Sequence, residues 1–304
     1  MSLVRTMRIL ASQRPSLPPR AVADPSRVRR VRHDRVPVTW IDPGLASTAT
    51  IVHLHGGAYV QGESRQTWEW LEEVARRSGA AAAMIHYRLA PRHPYPAAVD
   101  DVLAALADMQ REAVLRPGRW VLSGDGAGGG LALAVAQSLA GSGADAPAAV
   151  LLESPWSDLS REDHGQESLR VAARLYAGAV PRTQPRLSPV HGDLAGLPPV
   201  HLVTGAEDPL VGTAGAWPPR SSTPAPSTTS SSSPTAAIRS PSPGRGRRRS
   251  RRGASRSAPC ARRSASTSPP RTDDVPEDLT LFVFSGGGAS LWPWTQGTGL
   301  WAGT

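Results

Sequence analysis

From Arg35 to Val211 short apolar runs alternate with helix-period segments, and this alternation limits the fold more than any other feature of the 304-residue chain. Val36, Val38 and Trp40 alternate with Pro37 and Thr39, the pattern of an edge strand. Strands are predicted next at Ile51–Leu54, Ala81–Tyr87, Trp120–Ser123, Ala148–Leu152 and Val200–Thr204. Between them lie helical segments at Trp68–Arg77, Ala97–Gln110, Gly128–Leu139 and Glu167–Ala177. A strand that returns parallel to its neighbour needs a crossover, and a helix is the usual one. The sequence therefore predicts an α/β fold, a mostly parallel sheet with helices on both faces.

The regularity ends after Val211. From Thr213 to Arg271 nearly every residue is Ser, Pro, Arg, Ala, Thr or Gly, with Trp217, Ile238 and Cys260 as exceptions. Such a stretch has too little apolar surface to offset the entropy of ordering it, so disorder is expected there. Four regions follow: an N-terminal arm or lid remnant over 1–34, an incomplete α/β domain over 35–212, the Ser/Pro/Arg-rich segment over 213–271, and an unassigned tail over 272–304. Within that tail Leu279–Phe284 has the composition of a strand.

All 34 basic residues are Arg, and the chain carries a net charge of +9. Twelve of these arginines fall between Ala214 and Arg271, where no acid occurs; subtracting them leaves the remainder at −3. The basic character thus belongs to one segment. Its densest run, Arg245–Arg252, has no interleaved aromatic residues and no recognition motif, so a nucleic-acid partner is not expected. The single cysteine, Cys260, excludes an internal disulfide and fits no zinc-ligand spacing. No run of about 18 apolar residues is present, so no membrane span is expected, and the cytoplasm is the expected location.

Chemistry concentrates where predicted strands end. His55-Gly56-Gly57-Ala58-Tyr59 follows the strand at Ile51–Leu54, a setting in which backbone N–H groups can approach a developing oxyanion. Gly124-Asp125-Gly126-Ala127-Gly128-Gly129 joins a strand to a helix, where a nucleophile elbow of the form G-x-S-x-G belongs. Between them runs Tyr87-Arg88-Leu89-Ala90-Pro91-Arg92-His93-Pro94-Tyr95-Pro96, and after Val200 comes Gly205-Ala206-Glu207-Asp208-Pro209-Leu210.

In this order and spacing, the four motifs resemble the hormone-sensitive-lipase-like family of bacterial carboxylesterases, over about Val36 to Gly212. The resemblance implies an α/β-hydrolase fold and a Ser, Asp, His triad acting on short or medium acyl esters, with no cofactor and no metal. It implies that Gly56, Gly57 and Ala127 supply the oxyanion N–H groups and that Asp208 is the triad acid. The nucleophile position falls on Gly126, which has no side chain to attack with. No histidine occurs beyond His201, where the resemblance implies the catalytic base and a further helix and strand. A family match that stops at Gly212, in a chain with this arginine bias, has the character of a shifted reading frame in a GC-rich gene.

The expected chain is therefore a carboxylic-ester hydrolase by family, without catalysis of its own and with an open sheet edge where the last strands are lost. Two alternatives stand beside it: a pseudoenzyme that binds a small ester-like ligand, and an interaction protein acting through the Arg-rich tail. Ser123 and Asp125 are expected to be structural, and His53, His86 and His93 to be satisfied histidines rather than displaced bases.

Overall fold

Alternate residues of the central strands face two different cores. In the computed structural model, which describes residues 13–161, 166–205, 210, 279–285 and 288–291, strand β4 (Ala81–Ile85) is wholly buried. Ala81, Ala83 and Ile85 join one apolar cluster and Ala82 and Met84 the other, the period of two that a pleated strand imposes. The neighbouring strand β3 (Thr50–Leu54) divides likewise, Val52 and Leu54 from Ile51.

Helix α1 (Arg65–Ser78) covers the second face with Trp68, Leu71 and Ala75, one stripe at helical spacing. Ser64 starts it by accepting the Thr67 N–H at 3.1 Å. The other face carries α2 (Ala97–Arg111), α3 (Gly126–Ser142) and α4 (Glu167–Ala177). Helix α3 is buried on most of its circumference and is built mostly from Gly, Ala, Leu and Val, with glycines and alanines permitting close approach to the sheet.

The strand order is β1-β2-β4-β3-β5-β6-β7-β8-β9, with β1 Val28–His33, β2 Val36–Ile41, β5 Trp120–Asp125, β6 Ala149–Glu153, β7 Val200–Gly205, β8 Leu279–Ser285 and β9 Gly288–Leu291. Pairings from β4 through β3, β5 and β6 to β7 are parallel, and those at both margins antiparallel. The mostly parallel sheet with helices on both faces is thus observed.

Two local expectations change. Strand β2 is not at the edge, because Val28–His33, expected as part of a loose arm, pairs along it antiparallel. Three arginines of β1 face solvent, the kind of charged edge that discourages further strand addition. Nor is the outer side of β7 open: β8 pairs along it from Val200↔Phe284 to Gly205↔Leu279. Among the described residues no helix is long and apolar enough to cross a membrane.

Leu71 is fully buried between α1 and the sheet. Leu71→Ala is expected to lower stability by about 2–5 kcal/mol through lost transfer energy and an incompletely filled cavity, read from the shift in urea midpoint.

Candidate active site

Strand β3 delivers His55 to the carboxyl edge of the parallel strands, the side on which open α/β sheets bind ligands. The chain then passes through three consecutive left-handed residues, Gly57 at φ 104°, Ala58 at 53° and Tyr59 at 62°. A side chain at Gly57 would run into the Gln61 carbonyl. The unfavourable conformation of Tyr59 is offset by its burial and by stacking on Tyr176, with ring centroids 3.7 Å apart. His55 donates from Nδ1 to the Gly56 carbonyl at 2.7 Å and stacks on Tyr87. Tyr87 in turn donates to the His55 carbonyl at 2.5 Å, so the proline-rich motif buttresses this loop. Burial pushes the basicity of His55 down.

The turn from β5 into α3 has the geometry of an elbow. A Cβ on Gly124 would overlap the Gly128 carbonyl, and one on Gly128 would overlap the carbonyls of Leu54 and His55. Gly126 between them is at φ 48°, and a Cβ there would meet nothing within 4 Å. The flanking glycines are therefore demanded by backbone contact, while the tip points into open space. Trp156 fixes that tip by donating its backbone N–H to the Gly126 carbonyl at 2.7 Å.

Asp125 links the elbow to the glycine loop. Its Oδ1 accepts the Gly56 N–H at 2.8 Å and lies 3.2 Å from His53 Nε2. Burial raises the Asp125 pKa, but the His53 and Gly56 hydrogen bonds outweigh it and the net direction is down. The expected role of Gly56 therefore changes: its N–H is directed at the Asp125 carboxylate. The Gly57 and Ala127 N–H groups have no hydrogen-bond partner among the described residues, Ala127 because the first turn of a helix lacks intrahelical acceptors.

Ser123, His53 and Asp125 form a hydrogen-bonded chain, with Ser123 Oγ 3.1 Å from His53 Nδ1. It is no substitute triad. Ser123 is 1% exposed inside the sheet, and both nitrogens of His53 are engaged. His86 is likewise buried, with its nitrogens facing Thr39 at 2.8 Å and Glu63 at 3.3 Å. His93 is exposed in its proline-rich turn. Beside the elbow, His53, Thr67, Trp70, Asp125 and Glu153 line a cleft of about 320 Å³. Asp208, Thr213–Arg271 and the remainder of the tail lie outside the described residues.

Glu63 is the group that sequence reasoning missed, since an isolated Glu in a loop carries no motif. Its Oε1 accepts from the Ser16 N–H at 2.5 Å and the Ser16 hydroxyl at 2.6 Å. Its Oε2 faces His86 at 3.3 Å and His55 at 3.9 Å. The same segment is secured by Gln13, whose amide donates to the carbonyls of Val60 and Ala90.

Over residues 51–217 the chain matches the model of a family described as having the alpha/beta hydrolase fold, which is more than half of its length, and it belongs to that family. It is 40% identical over 184 residues to an acetyl-hydrolase of Streptomyces hygroscopicus, a stretch covering 56% of this chain and 61% of that one. The chain thus spans about three-fifths of the length of the curated relatives it matches. A crystal structure of an esterase from the bacterial hormone-sensitive lipase family superposes with a TM-score of 0.60 at 29% identity, covering 71% of this chain and 83% of that one. The esterase EstE5, soaked with p-nitrophenyl butyrate, gives a TM-score of 0.63 at 29% identity, covering 71% and 76%. Within the α/β hydrolases this chain is of the hormone-sensitive-lipase-like esterase type.

Two expectations follow for the site's architecture. Gly128→Ala should lower stability by more than about 2 kcal/mol, because a methyl group there meets backbone that cannot turn away. Gly126→Ser should cost about 1 kcal/mol, the penalty of a left-handed non-glycine residue without a clash. Chemical denaturation of both variants checks the contrast.

A third concerns acid. Burial raises the Glu63 pKa, but the hydrogen bond from His86, the charges of His86 and His55 and the Ser16 hydroxyl together bring it down to about 2 from 4.5. A carboxyl whose folded pKa lies below its unfolded one contributes stability that is complete above the unfolded value. That contribution fades as pH falls from about 4.5 to 2. Glu63→Gln should flatten the denaturation midpoint over this interval, whereas an unchanged slope would remove Glu63 as its source.

Proposed function

We propose that this chain keeps the ester-binding frame of a hormone-sensitive-lipase-like carboxylesterase and lacks its turnover. The observation that carries the reading is Gly126, which stands at the elbow tip with open space before it and no nucleophilic atom. Acyl transfer needs an oxygen or sulfur at that point, with a base in reach to take its proton. No histidine follows His201, and the nearby His53 and His86 are both buried and engaged.

In this reading an ester carbonyl lies against the N–H groups of Gly57 and Ala127, opposite the Gly126 tip. By its place in the motif Asp208 corresponds to the triad acid, and the sequence after it holds no histidine. The ligand is a small acyl ester or an amide of similar shape, bound without cofactor. Oxyanion donors alone can leave about 10³–10⁴-fold catalysis over water in hydrolases whose triad is removed. This sets the upper limit for residual activity.

The test uses p-nitrophenyl butyrate with the full chain and with Gly126→Ser. Saturable binding in calorimetry is expected, with release of p-nitrophenol close to the buffer rate for both proteins, because serine alone still lacks a base. Rapid hydrolysis by the serine variant would sink the account of the missing base, and rapid hydrolysis by the unaltered chain would sink the proposal itself.

A further inference from the structure

Away from the elbow, three metal-ligating side chains from two distant segments converge where the β1–β2 turn meets the end of α2. His33 is the last residue of β1, Asp108 lies in the final turn of α2, and Glu112 caps that helix. His33 Nδ1 is 3.3 Å from Asp108 Oδ2 and 3.3 Å from Glu112 Oε2, and the three ligand atoms all lie within 4.8 Å of one another. Asp108 and Glu112 are four apart, so a helical turn places both carboxylates toward the same imidazole.

His33 Nδ1 is within hydrogen-bonding distance of Asp108, and the spacing of the three groups also fits a shared cation. An N–H···O bond prefers about 2.9–3.0 Å, and one Nδ1 proton cannot serve two carboxylates equally. Ligands bound tetrahedrally at about 2.0–2.2 Å stand about 3.3–3.6 Å apart, the separation seen around Nδ1.

The imidazole supplies the independent observation. Its side chain is 6% exposed, and Nε2 is buried with no hydrogen-bond partner. The carboxylates at Nδ1 are therefore the only polar groups that the ring faces among the described residues. Without a metal the ring donates from Nδ1 to the carboxylates, and a cation held between the three groups would take the place of that proton. Asp108 is already oriented for such a role. Its Oδ2 accepts the Asp34 N–H at 2.8 Å and its Oδ1 pairs with Arg111, outer contacts of the kind that hold metal-binding carboxylates.

We propose that His33, Asp108 and Glu112 form a three-ligand site for a divalent transition-metal ion of the zinc class. The Glu112 side chain is 54% exposed, so the fourth position opens to water. The ion clips the edge hairpin of the sheet to α2. It takes no part in ester chemistry, and the assignment is independent of whether the elbow turns over substrate.

The experiment takes the full chain, treated with a chelator and dialysed, and titrates it with Co²⁺ and then Zn²⁺. One equivalent of Co²⁺ should produce the intense visible bands of a four-coordinate ion, displaced by Zn²⁺, and bound metal should raise the thermal midpoint. Glu112→Gln removes one ligand at an exposed position. It should weaken binding at least tenfold while leaving the metal-free midpoint where it is. Absence of saturable binding overturns the proposal, as does binding equally tight in Glu112→Gln, which would put the ion elsewhere on the chain.

Discussion

The turn from β5 into α3 exists because two stretches of backbone touch. Gly128 lies against the carbonyls of Leu54 and His55, and Gly124 against the carbonyl of Gly128, at separations that admit no side chain. That contact joins the ends of β3 and β5 to the start of the most deeply buried helix. It also fixes how the helix N-terminus faces the glycine loop. Asp125 completes the connection by receiving the Gly56 N–H across the same junction. Neither contact involves a side chain at Gly126, so the junction does not depend on what stands at the tip.

What could be read in the sequence divides along the same line. The central strands were legible because burial on both faces makes them short, uniformly apolar runs, as in Ala81–Ile85. The elbow was legible because its glycines answer a local steric demand. Strand β1 was not, since an edge strand that turns Arg29, Arg30 and Arg32 to solvent looks like any polar segment. Pairings across the fold were also hidden. Asp125 meets Gly56 across 69 positions and His86 meets Glu63 across 23, and no periodicity encodes which strand ends become neighbours. That the Gly56 N–H meets Asp125 was hidden for this reason, because its partner is set by tertiary register.

Charge is distributed with similar economy. The buried acids each meet a specific donor: Asp101 the Arg88 guanidinium and backbone N–H, Asp108 the Asp34 N–H, and Glu63 both donors of Ser16. Hydrogen bonds to each carboxylate offset part of the cost of burying it. This lets loops 13–16, 55–63 and 87–96 be tied together at the active edge, where a wholly apolar interior would leave their backbone groups unpaired.

Unusual backbone geometry marks the same edge. Gly57, Ala58 and Tyr59 follow β3, Gly126 follows β5 and Ser154 follows β6, all at positive φ. For Ala58, Tyr59 and Ser154 that conformation is unfavourable and persists only where surrounding contacts enforce it. At Gly126 the enforcement costs little, because glycine adopts the left-handed region freely. Glycine at the tip therefore spares that strain, while the contacts that shape the turn need no side chain there. The neighbouring Gly124 and Gly128 have no such freedom, since any side chain there would break the turn itself.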